Sequence, residues 1–378
     1  MSKIPTLRFK EFNGDWKENK FENIFNFSTG KNIKQNEASP EFEIPCVRYG
    51  ELYHMYNEII SNVINSTNLD KSELVFSQGN EILLPSAGED PLDIGSASAL
   101  TIPNIAIGRT INILRPLSDN VYSQKYVSYY INQKLRRTIS TLAKGSSISN
   151  VYNSDLKKLN IFLPSLIEQE KIASFLNQVD TKIEQLTKKE KLLQQYKKGV
   201  MQKIFNQEIR FQADDGSEFC DWEEKRLKEV LDYEQPTKYI VESTEYNGNY
   251  NTPVLTAGKT FILGYTNEEN GIYTNSPVII FDDFTTANHY VDFDFKVKSS
   301  AMKLLKEKNE NICLKFVYEF IQKLHFPIGE HKRYWISEYS YLKIKLPCLE
   351  EQNKIANFLS SIDTKIEQTQ KQLEKTKE

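Results

Sequence analysis

The sequence predicts an α/β protein of two related domains, each a strand-built centre followed by a long helix. Two observations carry that prediction. The stretch LPSLIEQEKIASFLNQVDTKIEQ (163–185) returns as LPCLEEQNKIANFLSSIDTKIEQ (346–368). From Ile161 to Gln185 against Ile344 to Gln368, 17 of 25 positions are identical without a gap. A repeat displaced by 183 residues is a duplicated domain, because solenoid units are far shorter. The text between the copies holds short β-type runs (EILLP, TIPNIAIG, PVIIF, YVDFDFKV) broken by Gly, Asn, Pro and Asp turns. A chain of 378 residues is long enough for each half to bury its own core.

The duplication runs beyond the helix. RFKEFNGDWKENKFENIF (8–25) and RFQADDGSEFCDWEEKRLKEVL (210–231) both place Arg-Phe before Asp-Trp, with four extra residues between the signals in the second copy. KYVSYYI (125–131) matches KFVYEFI (315–321) in helical pattern, and a glycine loop then leads into a strand in both halves. The middles, about 28–123 and 233–311, hardly resemble each other in sequence. A shared frame with divergent centres implies a common mounting and different ligands. The expected division is a first domain over 1–160, a central helix over 161–205, a second domain over 206–343 and a C-terminal helix over 344–378.

Leu-Pro closes a strand, and Ser165 with Glu168 forms an S-x-x-E capping box ahead of the first helix. Apolar residues then alternate at spacings of four and three: Ile172, Leu176, Val179, Ile183 and Leu186. The second copy supplies Ile355, Leu359, Ile362, Ile366 and later Leu373. This is a coiled-coil seam, and the partner each stripe needs is the other copy. The two domains are thus expected in a pseudo-twofold arrangement, joined by two long helices pairing as an antiparallel coiled coil. The first helix continues to about Phe205, with Gly199 as its weak point.

Composition excludes several functions. No run of about 18 apolar residues exists, so no membrane span is expected, and the N-terminal residues lack the apolar stretch of a secretory signal. Cys46, Cys220, Cys313 and Cys348 are scattered without metal spacing and fit reduced thiols of a cytoplasmic protein. Neither a phosphate-binding glycine loop, a dinucleotide fingerprint nor a zinc-protease helix is present. No Pro-Pro pair occurs, which removes the aromatic motif of amino-methyltransferases. Asp180-Thr-Lys182 and Asp363-Thr-Lys365 imitate part of a nuclease site but lie in the repeated helix, where such charges form a solvated face. Asp282-Asp283 reads as a turn. No catalytic residue, metal or cofactor is expected. A net charge of -3 requires any DNA binding to come from local patches, base contacts or partner subunits.

The residue types suited to base edges and phosphates gather in loops. In the first half they are Lys31, Lys34, Arg48, Ser86, Arg109, Lys144, Ser146, Ser147 and Asn150. In the second they are Lys238, Lys259, Thr285, His289, Tyr290, Lys332, Arg333 and Tyr334. Arg and Lys suit guanine edges and phosphate, Asn suits adenine, and hydroxyls serve either. The rival reading is a non-enzymatic adaptor whose two domains bind proteins.

Two variable α/β domains, each followed by an LP-x-L-x-EQ-x-KIA-x-FL helix, resemble the specificity subunit of type I restriction–modification systems over nearly the whole chain. The resemblance implies two target-recognition domains, each reading half of a split site in double-stranded DNA. It implies that the helices act as spacer and as dock for two DNA adenine-methyltransferase subunits. Restriction subunits, an ATP-dependent translocase and nuclease, would join that complex, and this chain itself would catalyse nothing.

Overall fold

The computed structural model describes residues 5–145, 148–258, 260–324, 326–327 and 332–378. The chain forms two compact units, 1–181 and 182–378. Their boundary falls inside the central helix, Leu166–Phe205, and not at either of its ends. The helix divides there because its first turns pack on one core and its last turns on another.

In the first unit a five-stranded sheet runs in the order Phe25–Thr29, Ile111–Pro116, Glu81–Pro85, Ser98–Leu100, Ile59–Ile60. A four-stranded sheet, Asn65–Thr67, Ile44–Val47, Pro103–Ile107, Phe76–Gln78, lies beside it. The second unit repeats the plan with Leu231–Glu234, Met302–Glu307, Val278–Asp282, Asn288–Val291 and a smaller sheet of Ile262–Thr266, Thr252–Leu255, Lys296–Val297. The middles that differ in sequence therefore share the order of four strands in the larger sheet and of three in the smaller, and the first unit adds one edge strand to each.

Strand alternation explains how this is achieved. Successive side chains point to opposite faces, so Ile82 and Leu84 enter a core with Phe21, Phe25 and Tyr126, while Leu83 joins Val47 and Ile107. In the second unit Ile279 and Phe281 enter the helix-side core and Val278 and Ile280 the other. The pattern needs apolar residues on both faces and is indifferent to which ones.

The repeated words form the same clamp separately in each unit. Glu168, buried on the first turn of the central helix, takes Arg8 through Nε and Nη2 at 2.7 Å each and the Trp16 indole at 3.4 Å. Glu351 takes Arg210 at 3.3 and 2.8 Å and Trp222 at 3.0 Å. The adjacent glutamines carry the next link. Gln169 accepts from Ser123 N–H at 2.9 Å and donates to Pro164 O at 2.9 Å; Gln352 accepts from Cys313 N–H at 2.8 Å and donates to Pro347 O at 2.9 Å. Ser123 and Cys313 are the N-caps of helices Gln124–Tyr130 and Leu314–Lys323. The Glu-Gln pair thus ties the N-terminal segment, a mid-domain helix and the long helix together. The expected capping box is only half formed. Ser165 Oγ accepts Glu168 N–H at 3.4 Å, but the carboxylate is committed to Arg8 and Trp16.

The two long helices pair antiparallel within the second unit. Lys197 meets Asp363 at 2.7 Å and Glu190 meets Gln370 at 2.8 Å, so two turns along one helix match two turns back along the other. Ile355, Leu359 and Ile362 are buried with Met201, Ile204 and Phe205, and Ile366 packs against the same cluster. This corrects the expected seam, in which the two repeated stretches faced each other. The second copy pairs with the C-terminal half of the central helix, while Ile172 packs on the first unit's core. Leu176, Val179 and Ile183 are half-buried, and Leu186 and Leu373 are buried on the paired stretch. The helix continues unbroken through Gly199, where an added Cβ would meet open space.

Beside the seam lies a charged network. Glu319, fully buried, is met by Lys197 at 2.9 Å and by Lys315 at 3.6 Å. Burial alone would lower the Lys197 ammonium's pKa, but Glu319 and Asp363 outweigh it and hold the pKa above its ordinary value. In the first unit Tyr129, at the position matching Glu319, donates directly to Asp180 at 2.5 Å. The D-x-K aspartates are thus structural anchors. No group of His, Cys, Asp and Glu among the described residues could hold a metal.

Candidate nucleic-acid interface

In the first unit a chain of backbone hydrogen bonds gathers five loops. Lys31 N–H donates to Ile107 O at 3.1 Å, Arg109 N–H to Asn32 O at 2.9 Å, and Gly108 N–H to Val47 O at 2.8 Å. Ser86 N–H donates to Thr110 O and Val151 N–H to Ser86 O, both at 2.9 Å, and Lys144 N–H to Asn150 O at 3.0 Å. Lys31, Arg48, Ser86, Arg109, Lys144 and Asn150 therefore belong to one cluster. The closeness has a steric cause, since a Cβ on Gly30 would stand 2.0 Å from Gly108 O. Asn32, Ile33 and Thr110 carry φ of 48°, 54° and 66°, a conformation that is costly away from glycine and that concentrates at functional sites.

The second unit repeats four of these bonds with other side chains. Val241 N–H donates to Val297 O at 2.9 Å, Lys298 N–H to Leu255 O at 3.0 Å, Asp283 N–H to Ala301 O at 3.0 Å, and Tyr334 N–H to Asp283 O at 2.8 Å. These match the bonds made by Lys31, Gly108, Ser86 and Val151. Asn150 and Arg333, each one residue earlier than the last donor, occupy corresponding places.

The family model for the type I restriction modification DNA specificity domain matches residues 13–194 and 220–377. The chain belongs to that family. It is 55% identical over 141 residues to the EcoR124I/EcoR124II specificity subunit of Escherichia coli, a match spanning 36% of this chain and 35% of that protein. It therefore spans about a third of that relative's length. A putative type I restriction enzyme specificity subunit of Methanocaldococcus jannaschii is 29% identical over 299 residues, covering 71% of this chain and 69% of the relative. The crystal structure of a type I restriction-modification S subunit from M. genitalium shares the fold with a TM-score of 0.70 at 17% identity, over 99% of this chain and 95% of that one. The family's description names DNA specificity, and the loop clusters gather the residue types suited to that chemistry.

Individual residues divide on this specificity frame. Lys31 and Arg109 are exposed and make no ion pair among the described residues. Lys34 pairs with Glu37 at 3.7 Å. Arg48 is held by Glu51, itself buried, at 2.8 Å, which makes it partly a structural pair. Lys144 bonds Asp155 at 3.0 Å, and that bond holds the Asp155 carboxyl below its ordinary range. Ser86 and Asn150 are half-buried. Ser146, Ser147 and Lys259 lie outside the described residues.

In the second domain Arg333 is exposed over the Phe284 ring at 6.0 Å, Lys332 pairs with Glu338, and Lys238 is exposed on the turn Pro236–Tyr239. Thr285 is exposed in a turn whose backbone donates to Asp282 Oδ1, as the turn reading of that aspartate expects. His289 stacks on Phe261 with centroids 4.4 Å apart; burial pushes its imidazole pKa down, opposed by hydrogen bonds to the backbone of Gly258 and Ala257.

Two expectations are corrected. Tyr334 is buried, 1% exposed, packed against Phe326 in the core, and cannot meet a base. Tyr290 follows His289 on one strand and so faces the opposite side, against Tyr318 and Lys315. Residues the sequence reading passed over include Tyr152 and Tyr49, exposed aromatics beside the first cluster, and Phe284 beneath Arg333. An isolated tyrosine in a loop gives no periodic signal that would mark it.

Proposed function

We propose that the chain reads a split site in double-stranded DNA, one half per domain, and directs methyltransferase and restriction subunits to it. The observation that carries this reading is a loop frame held by four matching backbone hydrogen bonds in both domains, with Lys31, Arg109 and Asn150 beside it in one and Arg333, Thr285 and His289 in the other. Phosphate contacts position a protein and base-edge contacts specify sequence, so two such clusters with different side chains suit two different half-sites. The relatives' names as restriction-enzyme specificity subunits support the same assignment.

With a net charge of -3 the chain as a whole carries no cationic excess of the kind that drives independent DNA binding. DNA adenine-methyltransferase subunits would supply that excess together with the chemistry. Leu192 and Tyr196, 54% and 53% exposed beside Lys188 and Lys189, form an apolar stripe on the central helix suited to a partner's helix. No helix among the described residues is long and apolar enough to cross a membrane. The deciding experiment is a gel shift across salt concentrations with and without methyltransferase subunits. Weak binding alone and sequence-specific binding in complex support the reading. An unresponsive complex that captures other proteins instead would favour an adaptor.

A further inference from the structure

The strand behind each loop cluster carries one buried polar residue where its neighbours are apolar. In Ile111–Pro116 it is Asn112, 2% exposed, opposite Leu84; in Met302–Glu307 it is Lys303, fully buried, opposite Phe281. Both stand second in their strands, and the two strands hold the same place in their sheets. Asn112 Nδ2 donates to Val151 O at 3.0 Å. Lys303 Nζ stands 3.4 Å from Oδ2 of Asp283, an ion pair without hydrogen-bond geometry, and 5.0 Å from the Tyr233 ring centroid. Asp283, 1% exposed, accepts Tyr334 N–H on its carbonyl and Trp335 N–H on Oδ1, both at 2.8 Å. Val151 and Tyr334 are the matching residues of the two frames, so both buried groups act on the same segment.

Burying such groups is expensive, and an apolar pair of the same volume is commonly neutral or stabilising. What an apolar pair could not do is fix the direction of a backbone segment. We propose that Asn112 and the Asp283–Lys303 pair are positioning residues that aim the segments presenting Asn150 and Arg333 at base edges. This rests on the DNA-reading assignment above. The two domains solve one problem with different chemistry, an amide in one and an ion pair in the other.

The test uses the complete methyltransferase complex and duplexes mismatched at single base pairs in either half-site. Asn112→Ala should lower the cognate-to-mismatch affinity ratio about tenfold in one half-site and leave the other unchanged. Lys303→Met and Asp283→Asn should do so in the opposite half-site. Lys303→Asn with Asp283→Ser installs the first domain's pair and should recover part of the loss. The untouched half-site reports that folding and assembly survive. Ratios at wild-type level in every variant, equal losses in both half-sites, or failure of every variant to assemble would overturn the inference. A wild-type complex without preference among the duplexes would overturn the DNA-reading assignment, and this inference with it.

Discussion

The two domains agree where their sequences agree and also where they do not. Glu168 and Glu351 hold the same Arg-Trp partners because the words around them are repeated. The loop clusters agree through backbone hydrogen bonds, although almost no side chain is shared. Backbone groups are present at every residue, so a frame built from them survives wholesale replacement of side chains. Clamp side chains are therefore held fixed, while loop side chains are free to differ.

The clamp offers the largest effect. Glu168→Ala and Glu351→Ala each remove the buried acceptor of a half-buried Arg-Trp pair, and losing three hydrogen bonds to a charged group should cost about 3–4 kcal/mol. Thermal melts of the assembled complex should show similar losses; a large loss in one variant only would break the equivalence of the frames. The seam then separates the domains. Lys197→Met leaves Glu319 buried with Lys315 as its one ion-pair partner among the described residues and should cost about 3 kcal/mol. Tyr129→Phe, removing the bond to Asp180, should cost about 1–2 kcal/mol. Equal costs would mean that the Lys197 bridge adds nothing to the second domain.

Arg333→Ala sharpens the comparison at the reading surface. If it meets a base edge, discrimination in one half-site should fall by about 1–3 kcal/mol. If it meets phosphate, binding should weaken on all sequences with a shallower salt slope. His289, which has no counterpart in the first cluster, gives the smallest effect. Its folded pKa lies below the ordinary 6.5, so the neutral stacked ring contributes fully above that value. As pH falls, the unfolded ring takes up its proton first, and the contribution is lost through the folded pKa. Melts of wild type and His289→Phe across pH 5 to 8 should diverge only toward the acid end.

Much of this was legible in the sequence, and for a physical reason. A clamp residue has fixed partners, so Arg-Phe, Asp-Trp and Glu-Gln recur as words, and the long helices show through their stripes. The pairing register was not legible, because Ile172 and Ile355 obey the same spacing while one packs on a domain core and the other on Met201 and Phe205. Among the candidate contacts, Tyr334 and Tyr290 failed because a tyrosine serves a core as readily as a surface; strand phase decides Tyr290, and packing on Phe326 at the start of a short helix decides Tyr334. Asn112 and Lys303 did leave a signal, as polar interruptions of INILRP and MKLLKE. Its meaning needed the fold, which shows that both face the same segment.

Under the proposed function, one frame mounts two independent readers. Replacing residues 28–123 with the matching segment of another specificity-family member, then mapping methylated adenines in a host carrying the complete system, tests it most directly. Independent readers give a changed sequence in one half of the target, with the other half unaltered. A change in both halves, or in neither from an active complex, would contradict it.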